Sequence, residues 1–475
     1  MEKTNLQQNE KKGRWSNFKV PHTLSLIVMI MIFVAIATYF VPAGAYEKVV
    51  NEAGRTVVVE GSFKYVESNP QGIFQLLKAP IEGIVGGAET IAFLFLIGGT
   101  FSLISKTKAI DFGILRIVKL FKGKEILIIP ILMFTFSLGG AVFGMSEEAL
   151  AFMTMIMPLM LALGYDSIVA VAITYLACVL GFSSAMLNPF TVGVAQSIAG
   201  IPLFSGFGYR IIIWFITTTI GALFVMFYAN KVKKNPKLSP VYESDEVRRK
   251  KLEAVDLENQ EFKLSHKMIL LVLAIGIGVV VWGVLEKGFW ITEIAAVFLA
   301  VGLLSAIIGR LSLDEMSEAF IHGAKDMMGA ALMLGFARGI LIIAENASII
   351  DTILNTLSGL LVGVPSLIAA YIMYPLQMFI NFFVNSGSGQ AALTIPILAP
   401  LGDLIGISRQ LTVLIFQLGD GFSNALFPTS GILLACLGLA GIPYSKWLKW
   451  ILPLQLILFV IAILAITGAY LMGWS

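Results

Sequence analysis

Long apolar runs separated by short polar ones dominate the chain. Windows apolar enough to enter a bilayer fall near 24–41, 88–105, 126–143, 149–164, 168–200, 208–230, 268–284, 290–309, 327–345, 365–384, 389–405, 410–440 and 450–473. A hydrocarbon layer about 30 Å thick asks for about 20 such residues in one helix. The pattern therefore predicts an all-α polytopic membrane protein. Several windows are short or interrupted by Gly and Pro, which predicts broken helices and re-entrant hairpins beside full crossings. A polar, basic stretch precedes the first window, but no small-residue cleavage site follows it, which predicts an uncleaved first span.

Charge fixes the predicted orientation. Residues 231–267 hold ten Lys/Arg and seven acids between two apolar halves, and Lys3, Lys11, Lys12, Arg14 and Lys19 crowd the start of the chain. Both regions are expected on the cytoplasmic side, where Lys and Arg accumulate. Segment 106–124 carries six Lys/Arg against one acid and is expected there too. The polarity divides the chain into a cytoplasmic tail (1–23), a first repeat (24–230), a charged linker (231–267), a connecting span (268–289) and a second repeat (290–475).

The two repeats are visible at an offset of about 240. Ala79, Ile81 and Gly83 match Ala319, Ile321 and Gly323, Gly99 matches Gly339, and Ile110 and Asp111 match Ile350 and Asp351. Farther on, Gly181, Phe182, Ser183 and Ala185 match Gly421, Phe422, Ser423 and Ala425. After a slip of two residues, Ser146, Pro158 and Gly164 meet Ser388, Pro400 and Gly406. The counterpart of the basic segment 106–124 is 346–364, which has no Lys or Arg. One copy therefore faces the cytoplasm and the other the outside, the mark of an inverted repeat, which in secondary transporters places the binding site at the midplane. Two inverted repeats with about nine transmembrane helices, two re-entrant hairpins and two broken helices are predicted, with the N-terminus inside and the C-terminus outside.

Four polar clusters interrupt the apolar windows in two matched pairs. The predicted hairpin tips are 144–148, with Ser146, Glu147 and Glu148, and 385–390, with Asn385, Ser386, Ser388 and Gln390. The predicted breaks are 183–189, with Ser183, Ser184 and Asn188, and 420–429, with Asp420, Ser423, Asn424 and Thr429. Broken helices expose free N–H groups at one end and free carbonyls at the other, which suit a small charged cargo or a coupling ion. For any one cluster, a helix kink or interhelical glue is an equally good reading. Ser146 is placed to cap the following helix, with Glu147 and Glu148 favourable in its first turn. Asp420 is expected to aim a carboxylate at the same region. Arg338, deep in the window 327–345, either pairs with one of these acids or holds a carboxylate of the cargo.

Composition narrows the class further. Only 13% of the 475 residues are charged and 57% are hydrophobic, against about 25% charged in soluble domains. Two cysteines and three scattered histidines offer no disulfide framework and no metal quartet. No P-loop, zinc-helix or nucleophile-elbow motif is present in the sequence, so neither an enzyme nor a cofactor is expected. A net charge of +3 without a basic aromatic stripe gives no sign of nucleic acid as a partner.

Through the paired tips, the two Gly-Phe-Ser-[Ser/Asn]-Ala breaks and the Gly335, Phe336, Ala337, Arg338, Gly339 run, the chain resembles the YfcC-like carriers over nearly its whole length. These are relatives of the anaerobic C4-dicarboxylate carriers in the ion-transporter superfamily. The resemblance implies a scaffold domain that usually dimerises and a transport domain moving like an elevator. It also implies cargo that is either a dicarboxylate or a basic amino acid exchanged as arginine for ornithine. Dicarboxylate-binding members carry neutral Ser-Asn-Thr tips, whereas this chain places Glu147 and Glu148 at one tip and Asp420 near a break. Three carboxylates repel a dianion unless protonated or neutralised by cations, so charge matching favours the basic amino acid. The expectation is a homodimeric secondary antiporter in the bacterial cytoplasmic membrane. A C4-dicarboxylate carrier coupled to H+ or Na+ is the second reading, and a channel or non-transporting membrane scaffold the third.

Overall fold

The computed structural model describes residues 23–50, 56–59, 61–110, 112–113, 116, 123–188, 190–253, 263–289, 291–361 and 363–474. Residues 1–22, Asp111, Lys119 and Lys122 of the basic segment, Pro189 of the first break and 254–262 of the linker lie outside them.

The first half begins with helix α1 (Thr23–Ala37). Two small antiparallel ladders follow, β1 (Gly44–Ala45) on β4 (Lys64–Tyr65) and β2 (Lys48–Val50) on β3 (Thr56–Val58). Next come α2 (Ile73–Gly86), α3 (Ala88–Lys106), α4 (Ile128–Phe143) and α5 (Glu148–Ala162). The broken pair α6 (Ser167–Ser183) and α7 (Val192–Ala199) leads to the long α8 (Phe207–Lys234). Helix α9 (Tyr242–Glu253) lies in the charged linker, and α10 (Leu264–Lys287) and α11 (Ile291–Ile308) follow it.

The second half runs through α12 (Leu313–Asp326), α13 (Met328–Asn346), α14 (Ile350–Gly359), α15 (Ser366–Phe383) and α16 (Gly387–Ile405). It ends with the broken pair α17 (Arg409–Asn424) and α18 (Gly431–Ala440), then α19 (Tyr444–Leu471). Among the described residues, seven helices are long and apolar enough to cross a membrane, or up to eight if the bent pair α12–α13 counts as one span.

Two features differ from the hydropathy reading. Helices α2 and α12 are separate 14-residue helices rather than loops before the long apolar windows. Their mixed composition hides them from a hydropathy average, since α2 alone exposes Ile73, Phe74, Leu77, Ile81 and Val85. The charged linker is also more than a tether. Helix α9 docks at the start of α6, where Asp245 accepts hydrogen bonds from Ser167 N at 2.8 Å and Ser167 Oγ at 2.8 Å. Arg248 pairs with Asp245 at 3.2 Å and reaches the Ala440 carbonyl, and Arg249 reaches the Tyr165 carbonyl. Asp245 is buried, so removing it leaves Ser167 and Arg248 short of an acceptor. Asp245→Ala should cost about 2–3 kcal/mol, read as a lower unfolding temperature in detergent; an unchanged temperature would show that the docking is dispensable.

The helices fall into two packed groups. Group A holds α1–α3 and α10–α13, where α2 packs on α13, α3 on α12 and α11, α1 on α13 and α10 on α11. Small residues make those crossings close. A Cβ on Gly83 would stand 2.1 Å from the Gly335 carbonyl oxygen, and one on Gly323 would stand 2.1 Å from that of Gly98. With no hydrophobic drive between helices in lipid, such backbone contact is what holds a pair. Group B holds α4–α8 and α15–α19. There Gly181 sits against the Ser137 backbone, while Gly421 sits against Ser183, so the two broken helices touch at their breaks. The groups meet chiefly where α13 packs on α18 and α3 on α5.

Candidate functional site

Each break in group B leaves backbone groups that side chains must satisfy. In the first, α6 ends at Ser183 and α7 resumes at Val192. Asn188 Oδ1 accepts from Phe190 N at 2.9 Å and Thr191 N at 3.3 Å, tying the gap from within. The N–H groups of Met186 and Leu187 reach the Ala141 carbonyl on α4. In the second break, α17 ends at Asn424 and α18 starts at Gly431. Asn381 Nδ2 donates there to the Asp420 carbonyl at 2.9 Å and to Ser423 Oγ at 2.7 Å, and Asn385 Nδ2 donates to Asn424 Oδ1 at 2.7 Å. Tyr175 OH crosses from α6 to the Asn424 carbonyl at 2.9 Å. The breaks are thus knitted to each other and to the hairpins.

The hairpin tips have different chemistry. Gly144 closes α4 in the left-handed region at φ 75°, with Asn188 Oδ1 2.8 Å from where a Cβ would stand. Ser146 makes no side-chain cap for α5; instead its N–H donates to Glu148 Oε2 at 3.0 Å. Glu148, 8% exposed, is therefore held back onto the turn, where the helix N-terminus favours an acid. At the second tip, Ser386 caps α16, accepting from Gly389 N at 3.4 Å.

Between tips, breaks and α13 lies a cavity of about 290 Å3. Of the residues singled out in the sequence, it brings together Ser146, Glu147, Arg338, Asn385, Ser386, Ser388, Asn424 and Thr429. Glu147 comes from group B and Arg338 from group A, so the cavity lies on the seam between the groups. Arg338 makes no ion pair among the described residues, and its side chain runs beside Gly86 and Gly87, where a Cβ at Gly86 would come within 3.3 Å of Nε. Of the two alternatives read from the sequence, pairing with an acid is not seen among the described residues.

Seven candidates stand outside the lining. Ser183 bonds back to the Val179 carbonyl and Ser423 to the Gly419 carbonyl, as mid-helix serines do. Ser184 meets Thr217 of α8 at 3.1 Å. Gln390 donates to the Gln377 carbonyl and side chain, at 2.9 and 2.7 Å. Glu148 and Asn188 serve the turns already described. Asp420, expected to face the cargo, is fully buried behind the second tip instead, because Gly387 of that tip covers it, one turn below the helix end at Asn424.

Sequence reading also passed over wall residues. Thr90, Tyr175, Thr191 and Ser430 line the cavity with Phe182, Phe190, Phe382 and Phe383. Gln377 and Asn381 support it from behind, and a signal for them existed. Gln377, Asn381 and Asn385 recur every four residues, a polar stripe on one face of an otherwise apolar helix.

Broken helices around a cavity lined by Glu147 and by an Arg338 that makes no ion pair among the described residues, in a chain of apolar spans, fit a membrane transporter. The chain belongs to the C4-dicarboxylate anaerobic carrier (DcuC) family, whose family model matches residues 20–471. It is 42% identical over 512 aligned residues to an Escherichia coli (strain K12) protein named "Putative basic amino acid antiporter YfcC", covering 99% of each chain. It is 32% identical over 402 residues to an uncharacterised Haemophilus influenzae protein, covering 84% of this chain and 79% of that one. Among solved structures, the YdaH transporter of Alcanivorax borkumensis is 17% identical with a TM-score of 0.42, over 96% of this chain and 99% of that one.

Proposed function

We propose that this carrier exchanges basic amino acids, arginine for ornithine, across the bacterial cytoplasmic membrane by alternating access. The observation that carries the reading is one cavity lined by both Glu147 and Arg338, the latter with no ion pair among the described residues. The cargo's carboxylate meets the guanidinium fork, its side-chain cation meets Glu147, and Ser, Asn and Thr hydroxyls and amides fill the remaining contacts. Four phenylalanines and Tyr175 in the wall suit a cationic head against aromatic faces. The relative's name points to the same cargo.

The topology belongs to this proposal. The two halves repeat the order of paired helices, hairpin, broken helix and closing span, and α8 and α19 are each 28 residues long. Together with the charge difference between 106–124 and 346–364, this favours inverted repeats with nine crossings and hairpins at 128–162 and 366–405. Group A then acts as scaffold, in a homodimer, and group B as the moving body.

Counterflow in proteoliposomes tests the cargo. Labelled arginine should enter vesicles loaded with ornithine and not vesicles loaded with buffer alone. Entry of succinate or fumarate with no arginine exchange would instead establish the C4-dicarboxylate reading, which the family's description favours.

A further inference from the structure

Asp420 has no role in the cavity, yet it occupies a costly position. It sits on α17, four residues before the break, with none of its surface exposed. Neither carboxyl oxygen meets a hydrogen-bond partner among the described residues. Three nearby donors are committed elsewhere. Asn381 donates to the main-chain carbonyl of Asp420, Gln417 to Thr191 Oγ1, and Ser423 to the Gly419 carbonyl.

No neighbouring charge compensates it. Helices α6, α7, α15, α16 and α19 pack on α17. Their titratable groups are Tyr175 and Cys178 on α6, Tyr371 and Tyr374 on α15, Asp403 on α16, and Tyr444, Lys446, Lys449 and Tyr470 on α19, with none on α7. Arg409, at the start of α17, pairs with Asp403 at 2.8 Å. Lys446 reaches the Pro240 carbonyl. A lone carboxylate out of water costs far more than the fold can spare, so the group is neutral or neutralised whenever it is packed this way. A bare metal cation asks for several oxygen ligands, and beside the carboxyl itself only Gln417 Oε1, of the side-chain oxygens on the neighbouring turns of α17, is without a partner among the described residues; a proton asks for none.

The packing also says what the proton controls. A Cβ on Gly387 would stand 3.2 Å from Asp420 Oδ2 and 2.5 Å from Thr191 Cγ2. The second tip is therefore seated on this carboxyl, while its neighbours Ser386 and Ser388 face the cargo. We propose that Asp420 is a proton-binding site of the transport cycle, separate from the cargo cavity, whose occupancy permits the second tip to seat. The carboxylate takes up a proton as the tip closes on it and returns it to water when the tip lifts.

This inference rests on the carrier reading, and the experiment separates the two. Exchange of labelled for internal arginine is measured in proteoliposomes at equal pH on both sides, from about pH 5 to 9. Wild-type exchange should fall at the alkaline end, approaching tenfold per pH unit as the protonated fraction does. Asp420→Asn, neutral at every pH, should show no such fall. The same alkaline fall in Asp420→Asn, or wild-type exchange that follows sodium and ignores pH, would overturn the proposal. Should Asp420→Asn exchange nothing, Asp420→Glu decides: exchange with a displaced pH midpoint supports the site, and a folded, arginine-binding but inactive Glu variant refutes it. Wild-type protein that exchanges succinate and not arginine counts against the cargo alone, and the same pH series is then run with succinate.

Discussion

Arg338→Gln should weaken arginine binding by about 30- to 150-fold while leaving the fold intact. The guanidinium has no ion-pair partner among the described residues and lies open to the cavity, so no internal bridge is lost when it is replaced. What is lost is a two-pronged, charge-assisted contact to the cargo's carboxylate, worth about 2–3 kcal/mol in a partly wet cavity. Arg338→Lys keeps the charge and loses the fork, and should fall between the two. The measurement is the arginine concentration that half-saturates counterflow, with the unfolding temperature as control. Because Arg338 would hold either cargo by a carboxylate, this result establishes the site and leaves the cargo open. Unchanged half-saturation would remove Arg338 from it.

Glu147→Gln should discriminate the cargoes by sign. A basic amino acid loses the partner of its side-chain cation, about 1.5–3 kcal/mol, or roughly 10- to 150-fold in affinity. A dicarboxylate loses a repelling charge and should bind as well or better. Glu147 can be altered without unfastening the hairpin, because the backbone N–H of Ser146 is held by Glu148. Competition of unlabelled arginine and succinate against the labelled cargo reads both directions in one preparation. Arginine affinity that survives Glu147→Gln would refute the charge-matching argument.

Much of this architecture was legible in the chain because the bilayer punishes exceptions. Breaks appeared where Gly, Ser, Asn and Pro interrupted apolar windows, and the helices part at 184–191 and 425–430, so the second predicted break, 420–429, began inside the last turns of α17. Eight of fifteen candidate side chains meet in one cavity. The remainder were misplaced for a common reason: sequence shows that a residue is polar at membrane depth and not which way its helix face turns. Depth is hidden as well: Asp420 and Asn424, four residues apart, share a helix face, yet Asp420 lies a turn deeper against Gly387 while Asn424 at the helix end lines the cavity. Likewise, Glu147 and Glu148 are neighbours whose roles divide because a helix turns about 100° per residue. Helices α2 and α12 escaped because amphipathic segments lying against other helices have no extreme hydropathy, and the docking of α9 depends on contacts distant in sequence.

The seam through the cavity has a consequence for affinity. Arg338 rides on α13 with one helix group and Glu147 on the first tip with the other. Any sliding of one group past the other changes the distance between the two charges that grip the cargo. On the proposed mechanism, the carrier then holds its passenger unequally at the two faces of the membrane. The face on which the two charges stand one cargo length apart binds cargo at the lower concentration, an asymmetry of affinity that sets no direction of net transport.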